Sequence, residues 1–125
     1  MDLRELKEGN LIKVYPRENQ EGLLFIKEIQ PTTAICEMIL PRRGYDFRIR
    51  PNEMEPVPLT QQWLARAGFR MNTESVYTWT SPDHLAFHIT ENSGTFFSSG
   101  KVISYLHELQ NEYKQLTGRD LSINL

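Results

Sequence analysis

Cysteine is almost absent from this sequence, because Cys36 is the single cysteine among 125 residues. An intrachain disulfide is therefore excluded, as are the paired-cysteine motifs of zinc ribbons and thioredoxin-type redox sites. Long apolar stretches are also missing, since no run approaches the roughly 20 residues that a membrane-spanning helix needs. The opening residues MDLRELKEGN are charged and have no apolar core, so we expect no signal peptide. We predict a cytoplasmic protein that does not contact a membrane.

A surplus of positive charge is likewise missing. The chain has 14 Lys and Arg against 16 Asp and Glu, which gives a net charge of −2. This balance gives no global attraction to nucleic acid or to anionic lipid. The seven glycines are all isolated from one another, so no glycine-rich phosphate loop is present. We therefore predict no cofactor.

The N-terminal part contains four short apolar-rich runs separated by polar turns, at residues 11–15, 23–29, 33–40 and 45–50. In the fourth run Tyr45, Phe47 and Ile49 alternate strictly with charged residues, which is the period of a β-strand. Four strands at this spacing predict a small curled antiparallel sheet or an SH3-like barrel.

The segment PNEMEPVP at residues 51–58 holds three prolines and favours neither a helix nor a central strand. We take it as an extended connector between an N-terminal β unit (residues 1–57) and a C-terminal α+β unit (residues 58–125). Because the connector is short, we expect the two units to pack tightly, with a single domain as the open alternative.

The C-terminal part has the signals of two helices. Thr60 and Gly68 are suited to begin and end a short helix. A longer helix is predicted over residues 100–117, with Val102, Leu106, Leu109, Tyr113 and Leu116 along one apolar face. Strands are predicted at residues 75–80, 85–90 and 95–97, and a last one at 121–123. The predicted fold class is α+β: a small N-terminal antiparallel barrel or sheet packed on a C-terminal sheet with one short and one long helix.

Two segments resemble one known family. They are PVPLTQQWLARAGF at residues 56–69 and YLHELQNEYKQLTGRDLSI at residues 105–123. The first has a proline-led Leu-Thr-x-x-Trp-Leu helix, and the second a His-x-Leu-Gln-Asn helix followed by Leu-Thr-Gly. Together they resemble a family of small, functionally uncharacterised proteins from gut bacteria and their phages. The resemblance implies this fold and an association with phages or mobile elements, and it implies no activity.

A polar cluster on the long helix is a candidate for ligand or partner binding. His107 lies three and four positions before Gln110 and Asn111, so their side chains are neighbours on the helix surface. They have the groups to bind a ligand, a peptide backbone or a base edge. The alternative is that they hydrogen-bond nearby backbone, as half-buried amides usually do.

The strongest local charge feature is PRRGYDFRIR at residues 41–50. Its four arginines are Arg42, Arg43, Arg48 and Arg50. Arginines interleaved with aromatic residues favour contact with nucleic acid or with an acidic partner. Against this, alternation places Tyr45 and Phe47 on the face opposite Arg48, where we expect them to be core residues. The nearby Glu53 and Glu55 are also placed to neutralise the arginines.

Catalytic and metal sites have no clear signature. His84 and His88 alternate with apolar residues, and in a strand they lie roughly 13 Å apart, too far to share one ion. Ser81 and Asp83 lie close to His84, but no nucleophile-elbow motif surrounds any serine. Cys36 lies in an apolar strand, where a thiol usually acts as a small buried hydrophobe. We predict no catalytic residue and no metal site.

The leading functional hypothesis is a non-enzymatic binding or adaptor protein that serves a phage or mobile element. The alternative is an accessory nucleic-acid-binding protein that uses the arginine-rich strand. A weaker alternative is a small hydrolase built on His107 or His84. A protein partner and self-association both stay open.

Overall fold

The computed structural model describes residues 1–17, 20–72, 77–82 and 87–125. The chain divides into two compact units, Met1–Val57 and Pro58–Leu125. The protein is α+β, with a four-stranded antiparallel sheet in the first unit and a five-stranded antiparallel sheet in the second. No helix in the described part of the chain is long and apolar enough to cross a bilayer.

The first unit is a meander whose strands lie in chain order. Its strands are β1 (Leu11–Arg17), β2 (Gln20–Ile29), β3 (Ala34–Leu40) and β4 (Asp46–Ile49). All four predicted strands are present, with bounds shifted by three residues or fewer. Polar turns separate the apolar runs from one another, so the period-two alternation within each run is enough to locate these strands.

The sheet is open, and this corrects the barrel alternative. Among the described residues, β1 and β4 each pair with one strand only, and they do not pair with each other. Closure fails because the chain after β4 turns through a 3₁₀ helix at Pro51–Glu53 and returns along the outer edge of β1. There the Lys13 amide donates to the Glu55 carbonyl at 2.9 Å, and the Glu55 amide donates to the Lys13 carbonyl at 2.8 Å. The connector occupies the edge that a barrel would use.

One face of this sheet carries the core of the first unit. Ile12, Ile26, Ala34 and Cys36 lie on it, and each is at least 99% buried. Two segments cover this part of the face: the N-terminal residues around the 3₁₀ helix Leu3–Glu5, and the connector residue Met54. The covering is partial, because Phe47, which is paired with the buried Cys36, stays 39% exposed.

In the second unit, the short helix α1 (Gln61–Arg66) begins and ends as predicted. The Thr60 hydroxyl accepts a hydrogen bond from the Trp63 amide at 3.3 Å. At the other end Gly68 has φ +82°, and the Phe69 amide donates to the Leu64 carbonyl at 3.0 Å. This pattern is a Schellman ending, which needs the left-handed conformation that glycine adopts without strain.

The second sheet has more strands than the sequence predicted. They are β5 (Arg70–Asn72), β6 (Thr78–Thr80), β7 (His88–Asn92), β8 (Thr95–Ser98) and β9 (Lys101–Ile103), paired in chain order. The prediction of helix from residue 100 is wrong, because Ser99 and Gly100 have φ +50° and +82°. Two successive positive φ values make a tight hairpin turn, so residues 101–103 pair with β8 and cannot be helical.

The long helix is α2 (Leu106–Thr117), and Gly118 ends it with φ +74°. Glu108 completes its first turn by accepting hydrogen bonds from the backbone amides of Ser104 and Tyr105. The predicted apolar face is buried at its centre and exposed at its ends. Leu106, Leu109 and Tyr113 are fully buried, and Val102 and Leu116 are 47% and 55% exposed. The predicted strand at residues 121–123 is not formed.

Candidate binding groove on the N-terminal sheet

A surface groove of about 390 Å³ lies on the partly covered face of the first sheet. Its apolar lining comes from all four strands, through Val14, Leu24, Met38, Phe47 and Ile49. Directly opposed residues of neighbouring strands share a face, and the register pairs Leu24 with Met38 and places Ile49 opposite Ala34. The groove is therefore the continuation of the core face beyond the segments that cover it.

Aromatic side chains stand at both ends of the strand order. Tyr15 on β1 and Phe47 on β4 line the groove and are 48% and 39% exposed. Tyr45 is 55% exposed, and its ring lies 6.5 Å from that of Phe47. The expectation that Tyr45 and Phe47 are core residues is wrong. They do lie on the side opposite Arg48, but β4 is an edge strand of four residues, and the covering segments do not bury these two rings.

The connector supplies the polar side of the groove through Asn52, Glu53 and Glu55. Met54 between the two glutamates is 4% exposed, whereas Glu53 and Glu55 are both exposed. The Arg50 amide donates to Glu53 Oε1 at 3.0 Å and its Nε donates at 3.1 Å. The backbone bond, followed by the guanidinium, holds the pKa of the Glu53 carboxyl below its usual range. Glu53 is thus ionised at neutral pH and already matched with one cation.

Glu55 differs from Glu53, because its side chain forms no ion pair within 4 Å among the residues that the structure describes. Its backbone is fixed by the two hydrogen bonds to Lys13, whereas its side chain is exposed. The Lys13 ammonium lies over the ring of Tyr15, 5.7 Å from the centroid. The groove therefore combines an apolar floor, aromatic ends and one carboxylate available to a ligand.

The predicted arginines do not converge on this groove. Arg48 faces the opposite side of the sheet, where Lys27 bridges Asp46 at 3.0 Å and Glu37 at 3.9 Å. Arg50 is bound to Glu53, which is the neutralisation that the sequence suggested for one of the four. Arg42 and Arg43 are exposed in the turn after β3, and within the described ranges they and Arg48 form no ion pair.

The polar cluster of α2 is more buried than a binding surface would be. His107 is 3% exposed, and its ring stacks on Tyr105 at 5.9 Å with an interplanar angle of 8°. Gln110 and Asn111 are half-buried on the same helix. Each of the three makes at least one contact of its own within the protein. The cluster therefore offers less free surface than the groove.

Of the remaining sequence candidates, the structure describes Cys36, Ser81 and His88. Burial raises the pKa of the Cys36 thiol to about 11, so it stays protonated at neutral pH. Ser81 is 2% exposed and His88 lies 3.2 Å from the Thr80 hydroxyl, whereas Asp83 and His84 fall outside the described residues. In the described ranges, no three His, Cys, Asp or Glu side chains are placed to share a metal ion.

Sequence reasoning did not find Tyr15, Met38 or Glu55 as site residues. One signal was available in the connector, where Glu53, Met54 and Glu55 alternate acidic, apolar and acidic. This pattern indicates a half-buried extended segment with both carboxylates on one side. No protein-family model matches this chain, and no curated protein and no solved structure matches it either.

Proposed function

We propose that this protein is a non-enzymatic binding or adaptor protein whose N-terminal sheet holds an extended segment of a partner protein. The observation that carries the proposal is the groove of about 390 Å³, which is apolar at its floor and aromatic at its ends. Binding clefts of this size are typically lined by apolar and aromatic groups with a few polar groups that fix orientation. Half-exposed aromatic rings also supply large contact area at low conformational cost, as they do in protein interfaces.

The edge of the sheet beside the groove supports an extended occupant. Across the residues described, β4 makes backbone hydrogen bonds with β3 on one side and with no segment on the other. The opposite edge of the sheet, at Lys13, is already taken by the connector. A peptide that adds a strand to β4 gains main-chain hydrogen bonds there and places alternate side chains beside Phe47 and Ile49.

The family resemblance adds the biological setting to this proposal. Residues 56–69 and 105–123 resemble proteins of gut bacteria and their phages, so we propose that the partner belongs to a phage or mobile element. Identifying the genes beside this one tests the setting, because a morphogenesis cluster favours it and an unrelated metabolic operon does not.

Two phenylalanines on opposite faces of one sheet allow a matched test of the groove. Phe47 lines it and is 39% exposed, whereas Phe25 points from the other face of β2 and is 38% exposed. Peptides selected from a displayed library of random 12-residue sequences are measured against the protein by isothermal titration calorimetry. Truncating an aromatic residue that anchors an interface costs more than about 1 kcal/mol, so we expect Phe47→Ala to weaken binding by about tenfold.

We expect Phe25→Ala to bind within about twofold of the wild type. The proposal fails if no peptide is enriched over the unselected library. It also fails if Phe25→Ala weakens binding as much as Phe47→Ala, because the peptide is then not held in the groove.

A second candidate function, contact with nucleic acid, is favoured by the exposed aromatic pair on the arginine-rich strand. Tyr45 and Phe47 stand out from β4, and nearby Arg42 and Arg43 are exposed and without an ion pair among the described residues. Binding of single-stranded nucleic acid uses aromatic rings that stack on bases and arginines that are not already paired with carboxylates. The structure also weakens this candidate, since Arg48 faces the other side of the sheet.

Fluorescence anisotropy with a labelled 20-nucleotide single strand tests this second candidate. If Arg42 and Arg43 both contact phosphate, raising the salt from about 50 to 200 mM lowers the affinity by roughly sevenfold. The double substitution Arg42→Glu, Arg43→Glu should abolish the signal. An undetectable signal at both salt concentrations would remove the candidate.

A further inference from the structure

The charges that the structure describes along the groove are of one sign. Among the described side chains that line it, two are carboxylates, Glu53 and Glu55, and none is a cation. We infer that the bound segment carries a lysine or arginine next to apolar residues, and that this cation forms an ion pair with Glu55. The inference rests on the proposed function.

The neighbouring cations that the structure describes form no ion pair with Glu55. Arg50 lies close to the groove, but its Nε and amide both donate to Glu53. Lys13 feels Glu55 at a distance, yet its ammonium lies over the Tyr15 ring and is also attracted by Glu21. One carboxylate, that of Glu55, therefore lacks an ion pair within 4 Å among the described residues, beside an apolar surface.

The shape of the lining fits a side chain with a long apolar stem and a cationic head. Lysine and arginine place their methylene groups along apolar surfaces and keep the charge at the polar rim. Phe47, which lines the groove and is 39% exposed, adds aromatic surface for such a stem or for the cation itself. An acidic side chain in the same place would meet two carboxylates, so the groove discriminates against acidic segments by repulsion.

The charge of Glu55 can be removed without disturbing the fold. The backbone of Glu55 forms the bridge to Lys13, and the carboxylate is exposed, so Glu55→Gln keeps the bridge and removes only the charge. Glu53 is unsuited as a probe, because its carboxylate also caps the turn at Pro51–Glu53. Glu37 on the opposite face of the sheet, 3.9 Å from Lys27, is the matched control.

The test uses the full-length protein and the displayed library of random 12-residue peptides. The sequences selected on the wild type are compared with those of the unselected library for the frequency of lysine and arginine beside an apolar residue. We expect that frequency to rise severalfold. For a selected peptide made synthetically, we expect Glu55→Gln to weaken binding by about fivefold, the upper end for an exposed ion pair, and Glu37→Gln to leave it unchanged.

The outcomes separate the two proposals. Selected peptides that bind in the groove but show no preference for a basic residue, or that bind Glu55→Gln as well as the wild type, overturn this inference and leave the proposed function standing. The same holds for a selected set rich in purely apolar sequences. No enrichment of any peptide, or equal binding by the Phe47→Ala variant, overturns both.

Discussion

Two leucines of α2 that look equivalent in the sequence should differ sharply in their effect on stability. Leu109 and Leu116 are seven positions apart on the predicted apolar face. In the structure Leu109 is fully buried, whereas Leu116 is 55% exposed. Leu109→Ala removes three buried carbon groups at about 0.8 kcal/mol each, which gives about 2.4 kcal/mol. The cavity left behind adds to this, so the expected loss of unfolding free energy is about 2–5 kcal/mol.

Leu116→Ala is the matched control, with an expected loss of about 1 kcal/mol or less. Both residues lie within Leu106–Thr117, so the small gain in helix propensity on going from leucine to alanine is similar in both variants and largely cancels in the comparison. Urea unfolding followed by intrinsic fluorescence measures the difference. The chain has two tryptophans, Trp63 and Trp79, and both lie in Pro58–Leu125, so the fluorescence reports on the unit that contains α2.

The comparison fails in two recognisable ways. Equal losses for the two variants would mean that the apolar face of α2 is covered along its full length. A loss below about 1 kcal/mol for Leu109→Ala would mean that its site is not close-packed. Either result would contradict the burial of Leu109 and the exposure of Leu116 in the structure.

Two further predictions concern backbone conformation and ionisation. Gly68 and Gly94 both have φ +82°, but a Cβ at Gly68 would lie 2.9 Å from a ring carbon of Pro82, whereas one at Gly94 would have no described atom within 4 Å. Gly68→Ala should therefore lower the urea midpoint by more than Gly94→Ala, which pays only the strain of about 1 kcal/mol. Because burial raises the pKa of Cys36 to about 11, the native state keeps a proton that the unfolded chain releases above its usual thiol pKa of about 8.5. Stability from this group is then complete at neutral pH and falls as the pH rises towards 11. The urea midpoint of Cys36→Ala should fall less steeply over that range, and identical slopes would contradict the burial of the thiol. Far-ultraviolet circular dichroism follows this unfolding, because Met1–Val57 contains no tryptophan.

The elements that could be predicted are those whose signal lies within one short segment. The four N-terminal strands follow from alternation between polar turns, and α1 follows from a threonine cap and a glycine ending. In each case the residues that decide the structure are neighbours in the chain. The open sheet could not be decided in this way, because it depends on where the connector returns, and only the Lys13–Glu55 bridge reveals that.

The error at the start of α2 has a local cause that the sequence does contain. Val102 has the right spacing to extend the apolar face, and the pattern therefore favoured a helix from residue 100. But Ser99-Gly100 repeats the chemistry of Ser93-Gly94, and both pairs have two successive positive φ values. Such a pair between apolar residues is a hairpin signal, and it outweighs one more residue of helical periodicity, because a left-handed turn cannot be continued as a right-handed helix.

The candidate groove was beyond sequence reasoning for a different physical reason. Alternation assigns Phe47 to the face opposite Arg48, and this assignment agrees with the register. It does not say whether that face is covered. The covering depends on where Met54 and the N-terminal residues pack, far away in sequence, and they cover Cys36 but leave Phe47 39% exposed. A pattern can thus place a side chain on a face, but only tertiary packing decides whether that face becomes core or a binding surface.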